Sequence, residues 1–232
     1  MSLFSAIGSG LSAVASAIGS AVSTLGSGVT SFATKLLLPL PPQIELAIYT
    51  ILVVAEIVSG IADILGIKPE KETAEELGAK AQDAELKRDD FSSTEKYIEY
   101  LRNEVAFDRE KFEKMSPEEQ LACRTIGTAL YAKNIEERFG VSLSPEFLLK
   151  AGQLEMKAQE VKSYMDAFKQ SGLSDMKYMS DFLTGRLDEK TDSKVESAII
   201  NGLKNMNPNM SEENIQSKIG DMTKAALRTE ES

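Results

Sequence analysis

Three eleven-residue units open the chain: SAIGSGLSAVA, SAIGSAVSTLG and SGVTSFATKLL, from Ser5 to Leu37. Their bulky residues, Ile7, Leu11, Val14, Ile18, Val22, Leu25, Val29, Phe32 and Leu36, follow one another in steps of four and three. That spacing is helical, because a half-buried strand would repeat at every second position. Eleven residues complete just over three turns, so the stripe drifts by only about 20° per unit and stays nearly straight. A single helix over 3–38 would extend about 54 Å at about 1.5 Å per residue.

Between the bulky positions stand Ala, Ser, Gly and Thr, and the first charge is Lys35. Gly8, Gly10, Gly19, Gly26 and Gly28 each cost such a helix about 1 kcal/mol relative to alanine. A stripe on so weak a helix predicts a partner that stabilises it. Small residues three and four apart let backbones approach closely, which points to self-association, in a bilayer or within a narrow assembly.

Pro39, Pro41 and Pro42 then end helical structure by removing donors and favouring extended backbone. The next segment, Ile44 to Ile67, is apolar except for Glu45, Glu56 and Asp63. At roughly 100° per residue these three carboxylates fall on one line, so the segment reads as an apolar helix with a single acidic stripe. Two accounts follow: a buried helix with one wet edge, or oligomerised helices in a bilayer with the acids turned to a water-filled interior. With the preceding helix it would form a hydrophobic hairpin joined by the proline-rich turn.

Charge distribution divides the chain sharply. Residues 1–67 hold only Lys35, Glu45, Glu56 and Asp63, whereas everything from Lys68 onward is densely charged. Residues 68–92 alternate acid and base with few bulky apolar residues, which predicts a solvated helix or linker. From 93 to 232 helix-start signals recur. Ser92 with Glu95 and Ser116 with Glu119 fit the capping box, Ser144 precedes Pro145, and Ser211 precedes two glutamates. Helices are expected over 93–113, 117–139, 145–170, 175–186, 193–205 and 211–228. The third has the clearest seam, Phe147, Ala151, Leu154, Ala158, Val161, Met165 and Phe168, in alternating steps of four and three. No stretch alternates as a strand, so the expected class is all-α: an N-terminal hydrophobic helical hairpin followed by a charged multi-helix domain.

Composition narrows the function. A net charge of −10 without a clustered basic tract argues against nucleic acid, whose affinity rests on basic neutralisation. The same acidity offers no polybasic attraction to anionic lipid, so any membrane contact would be hydrophobic. With no histidine and one cysteine, Cys123, the common zinc sites and His-activated nucleophiles are unavailable within one chain. Cys123, among small and apolar neighbours, reads as a buried structural thiol. The glycine pairs at Gly8–Gly10 and Gly26–Gly28 lack the strand and lysine of a phosphate loop. The acids of 188–193 lack a calcium loop's glycine and closing glutamate. No catalytic residue, metal, cofactor or small-molecule substrate is therefore expected. The N-terminus has neither the positive region of a secretory signal nor a myristoylation pattern.

The opening MSLFSAIGSGLSAVASAIGSAVSTLGSGV, with its proline break and apolar helix, is similar to the leaders of small virion proteins of tailed bacteriophages and related phage-tail-like injection machines. These include ejected internal proteins and tape-measure-like components. The resemblance covers about the first 67 residues and carries no role for any single residue. It implies a non-enzymatic structural or delivery component, associated with a virion or a larger assembly, whose hydrophobic N-terminal hairpin would associate with copies of itself or with membrane. Two other readings stand beside it. One is a pore-forming, bacteriocin-like protein whose helices shield an inserting hairpin. The other is a soluble helical adaptor whose leader fills a partner's groove.

Overall fold

In a computed structural model, residues 3–20, 22–37 and 44–228 are described, with the side chains of 3–11, 22–24 and 44–47 left aside. The fold is all-α: twelve α-helices, one 3-10 turn and no sheet among the described residues. They are α1 (Leu3–Ser20), α2 (Val22–Leu37), α3 (Ile44–Ile64), α4 (Ala74–Asp83), α5 (Thr94–Glu104), α6 (Arg109–Glu113), α7 (Pro117–Phe139), α8 (Pro145–Gln153), α9 (Ala158–Gln170), α10 (Lys177–Leu183), α11 (Glu189–Met206) and α12 (Glu212–Arg228). The 3-10 turn is Arg88–Asp90.

Local chemistry sets most of the helix starts. Ser116 and Glu119 exchange reciprocal bonds, amide to carboxylate at 2.7 Å and amide to hydroxyl at 3.2 Å, in the capping box that their spacing predicts. Ser144 accepts from the Phe147 amide ahead of Pro145, and Ser211 accepts from the Asn214 amide. The cap expected at Ser92 lies one residue on: Ser93 accepts from the Lys96 amide. Thr73, Asp108 and Asp188 cap α4, α6 and α11 in the same way.

The chain divides into two compact units, Met1–Glu137 and Arg138–Ser232. In the first, α1 packs on α3 and α2 packs on α4 and on the 3-10 turn. The apolar segments therefore fold together with the charged helices that follow them. Residues 68–92 are no solvated linker: Ala74, Leu77, Gly78, Ala79 and Ala81 of α4 are buried. All but Leu77 are small, which hides the helix from a reading based on bulk and serves a close crossing. A Cβ built on Gly78 would run into the Cys123 carbonyl, and one on Gly127 into the Ala74 carbonyl, so α4 and α7 touch backbone to backbone at paired glycines.

In the second unit α9 packs along α11, with α10 against α8, α11 and α12. The Tyr164 ring lies against Gly202, where a Cβ would meet it, and the Ser163 hydroxyl donates to the Gly202 carbonyl at 2.8 Å. Gly220 of α12 differs, because a Cβ there meets nothing within 4 Å. Gly220→Ala is accordingly expected to stabilise the protein by about 0.5–1 kcal/mol through helix propensity, as a rise in the urea midpoint.

Three expected helices are broken. The hendecad helix over 3–38 does not run straight, since Gly26 adopts φ 71° and ψ 161° and kinks α2. That left-handed φ is open to glycine at little cost, and the Asp89 carboxylate fills the space a Cβ would take. The helix expected over 93–113 splits into α5 and α6, where Val105 is extended and Asp108 caps a new start. The helix expected over 145–170 splits into α8 and α9, with Glu155 at φ 50° between them. Apolar periodicity continues across the second break because α8 and α9 both bury their apolar residues in the second unit, whereas α6 buries none of its residues. The remaining expected helices differ at their ends: 175–186 becomes α10, 193–205 starts earlier as α11, and 211–228 is α12. The proline-rich turn of the expected hairpin lies outside the described residues.

Candidate functional site

The hendecad stripe faces inward. Val14, Ile18, Leu25, Val29, Phe32 and Leu36 are all buried within the first unit, while the side chains of Ile7, Leu11 and Val22 lie outside the described residues. The stripe's cover comes from the chain's own later helices. The Lys133 ammonium of α7, for instance, sits 4.9 Å from the centre of the Phe32 ring. On α3, Glu56 and Asp63 are exposed, and Asp63 pairs with Lys68 at 3.0 Å. The Glu45 side chain is outside the described residues. In the seam, Phe147, Val161, Met165 and Phe168 are buried in the second unit, but Phe147 belongs to α8 and the other three to α9, while half-buried Leu154 caps α8.

A polar cluster fastens the end of the apolar segment. Arg102 of α5 donates to both carboxylate oxygens of Glu72, at 2.6 and 2.9 Å, and to the Ile67 carbonyl at 3.1 Å. The Tyr131 hydroxyl of α7 donates to the same carboxylate at 2.6 Å. Burial pushes the Tyr131 phenol far above its ordinary value, and its bond to Glu72 adds to the rise. The phenol therefore stays a proton donor at every physiological pH. Three segments, the stretch from Ile67 to Glu72, α5 and α7, meet in this cluster.

A second cluster forms at Glu137, less than two turns further along α7. The Glu137 carboxylate accepts from the Thr94 hydroxyl at 2.5 Å, the Thr94 amide at 2.7 Å and Arg88 at 2.9 Å. Burial pulls this carboxyl upward, but those hydrogen bonds and the Arg88 charge outweigh it and hold the group below the usual range. The unfolded chain thus binds the proton more readily, and stability falls with acidification. The contribution is complete above about pH 4.3, the ordinary glutamate value, and is lost as the pH drops through the lower folded value. Glu137→Gln is expected to cost no more than about 1 kcal/mol at pH 7, because the group is partly exposed, and to flatten the decline between pH 5 and pH 3. Urea midpoints across that range measure it.

Between α1, α3, α6 and the start of α7 lies a cavity of about 580 Å³. Val14, Ile48, Leu52, Phe112, Pro117 and Leu121 supply its apolar walls. Glu75, Glu118 and Arg124 stand among its polar lining, and the Arg124 guanidinium is bonded to Glu75. No sequence signal points to it, because its lining is drawn from five elements spread between Val14 and Arg124.

Cys123 is buried, and burial pushes its thiol up to about 12, which leaves it an inert core group at neutral pH. Among the described residues no cluster of three or more Cys, Asp or Glu side chains is placed to hold a metal ion, and no helix is long and apolar enough to cross a membrane. Comparison with protein-family models, curated proteins and solved structures finds no match to this chain.

Proposed function

We propose that the chain is a non-enzymatic structural or delivery component of a phage or phage-tail-like assembly. It carries its apolar N-terminal helices folded against its own charged helices and uses them to engage further copies or a membrane. The observation that carries this reading is the burial of a charge-free stripe on a helix too rich in glycine to be strong alone. A stripe needing outside support receives it from α4, the 3-10 turn and α7, so the apolar element travels covered. The glycine kink at Gly26 gives that element a joint where the sequence periodicity has none. The inert thiol and the lack of histidine support a role without covalent chemistry.

The same burial favours a second reading, a pore-forming protein whose water-soluble form shields the segment that later inserts. Light scattering of the full chain, alone and with dye-filled vesicles, separates the two. A structural or delivery role is expected to give defined oligomers and intact vesicles. Dye release would favour the pore-former, with Glu56→Lys then expected to alter ion selectivity. A monomer that ignores vesicles would overturn both.

A further inference from the structure

We propose that the cavity of the first unit is a binding site for a single-chain cationic amphiphile, an alkyl chain ending in an ammonium group. This goes beyond the assembly reading and does not depend on it.

The cavity's volume of about 580 Å³ falls within the range of about 300–1,000 Å³ typical of small-molecule sites. Its walls have the character of such sites, predominantly apolar with a few polar groups. Ile48 and Leu52 stand one turn apart on α3, and Phe112 and Leu121 come from α6 and α7. These aliphatic and aromatic surfaces suit one alkyl chain and leave no room for two.

The polar lining chooses the head group. It holds two carboxylates, Glu75 and Glu118, against one guanidinium, Arg124. Arg124 is already bonded to Glu75, so its charge is answered within the site. Glu118, half-buried in the first turn of α7, is the carboxylate left to answer a cation. An anionic head would meet this excess negative charge and the chain's overall charge of −10. A neutral head would leave the Glu118 charge unused. A cationic head alone forms an ion pair at the site while its chain fills the apolar interior.

The test uses the full chain and three probes with the same tail, dodecyltrimethylammonium, dodecanol and dodecanoate, each titrated calorimetrically below its micelle concentration. Dodecyltrimethylammonium is expected to bind one to one and at least about tenfold more tightly than dodecanoate. Glu118→Gln is expected to weaken the ammonium by about tenfold and leave dodecanol unchanged. Leu121→Trp fills the cavity and should abolish binding of all three; the chain has no other tryptophan, so its fluorescence reports whether the variant is folded. Should that variant not fold, Glu118→Gln still decides the matter. Equal affinity for the ammonium and the carboxylate, no saturable binding, or an unchanged preference in Glu118→Gln would each overturn the proposal.

Discussion

Gly78→Ala is expected to destabilise the first unit by about 3 kcal/mol or more, measured as a fall in the urea midpoint. The added methyl meets the backbone carbonyl of Cys123, which has no rotamer to escape into, so the two helices must part. Separation costs more than the one contact. It loosens the Glu75–Arg124 pair and the buried surfaces of Leu77 and Ile126. Gly127→Ala should cost a similar amount, since its methyl would meet the Ala74 carbonyl from the opposite side of the same crossing. Once one methyl has forced the helices apart, the second finds room. The double variant is therefore expected to lose clearly less than the sum of the two, and that sub-additivity distinguishes one shared crossing from two independent sites. Gly220→Ala, the same chemical change in open space, provides the contrast of opposite sign.

Arg102→Met is the second large effect, expected at about 2–4 kcal/mol. The Arg102 and Glu72 side chains are 22% and 10% exposed, which puts the pair much closer to a buried ion pair than to a surface one. Removing the guanidinium leaves the Glu72 carboxylate with the Tyr131 hydroxyl as its donor among the described residues and strips the Ile67 carbonyl of a bond. Burial lowers the Arg102 pKa, yet the bond and charge of Glu72 outweigh that and raise it, the direction expected of a cation held by its partner. Replacing both members, Glu72→Leu with Arg102→Met, should cost less than the arginine substitution alone, because no buried charge is then left unpaired. Unfolding midpoints of the two single variants and the double variant close that cycle. The variant also bears on function, because Arg102 ties the residues that follow α3 to α5. Its loss should make the apolar helices more accessible to protease while the second unit stays intact.

How far such features could be read from the sequence depends on which physical signal each residue leaves. α7 is legible to the residue at both ends, because Ser116, Pro117 and Glu119 open it and Gly140, at φ 76°, follows its close. The direction of the hendecad stripe is legible too: side chains at steps of three and four must share a face. What covers that face is not, because α4, which packs on α2, buries mostly alanines and a glycine with Leu77 as its one bulky apolar residue, and so carries little hydrophobic signal. The breaks at Val105 and near Glu155 are silent for a related reason. Neither contains proline, and across Glu155 the apolar spacing persists because α8 and α9 are both buried in the second unit. The Gly26 kink was masked by the register itself, since a glycine inside a regular repeat reads as a weak helical position until Asp89, 63 residues later, is seen to occupy its empty side. The cavity and the Glu72 cluster need side chains from distant segments and leave no local mark at all.

The order in which the ribosome makes this chain gives the buried stripe one further consequence. Residues 3–37 emerge before the residues that cover their apolar face, in α4, the 3-10 turn and α7, the last of which ends only at Phe139. At about 5–20 residues per second, that leaves the stripe bare for on the order of ten seconds during every round of translation. Over that interval the nascent chain presents an adhesive segment, uncharged up to Lys35 and with no lid, open to capture by a chaperone, a membrane or a sister chain on the same messenger. The covered state is therefore the later of two, and whatever meets the stripe first does so before the fold exists.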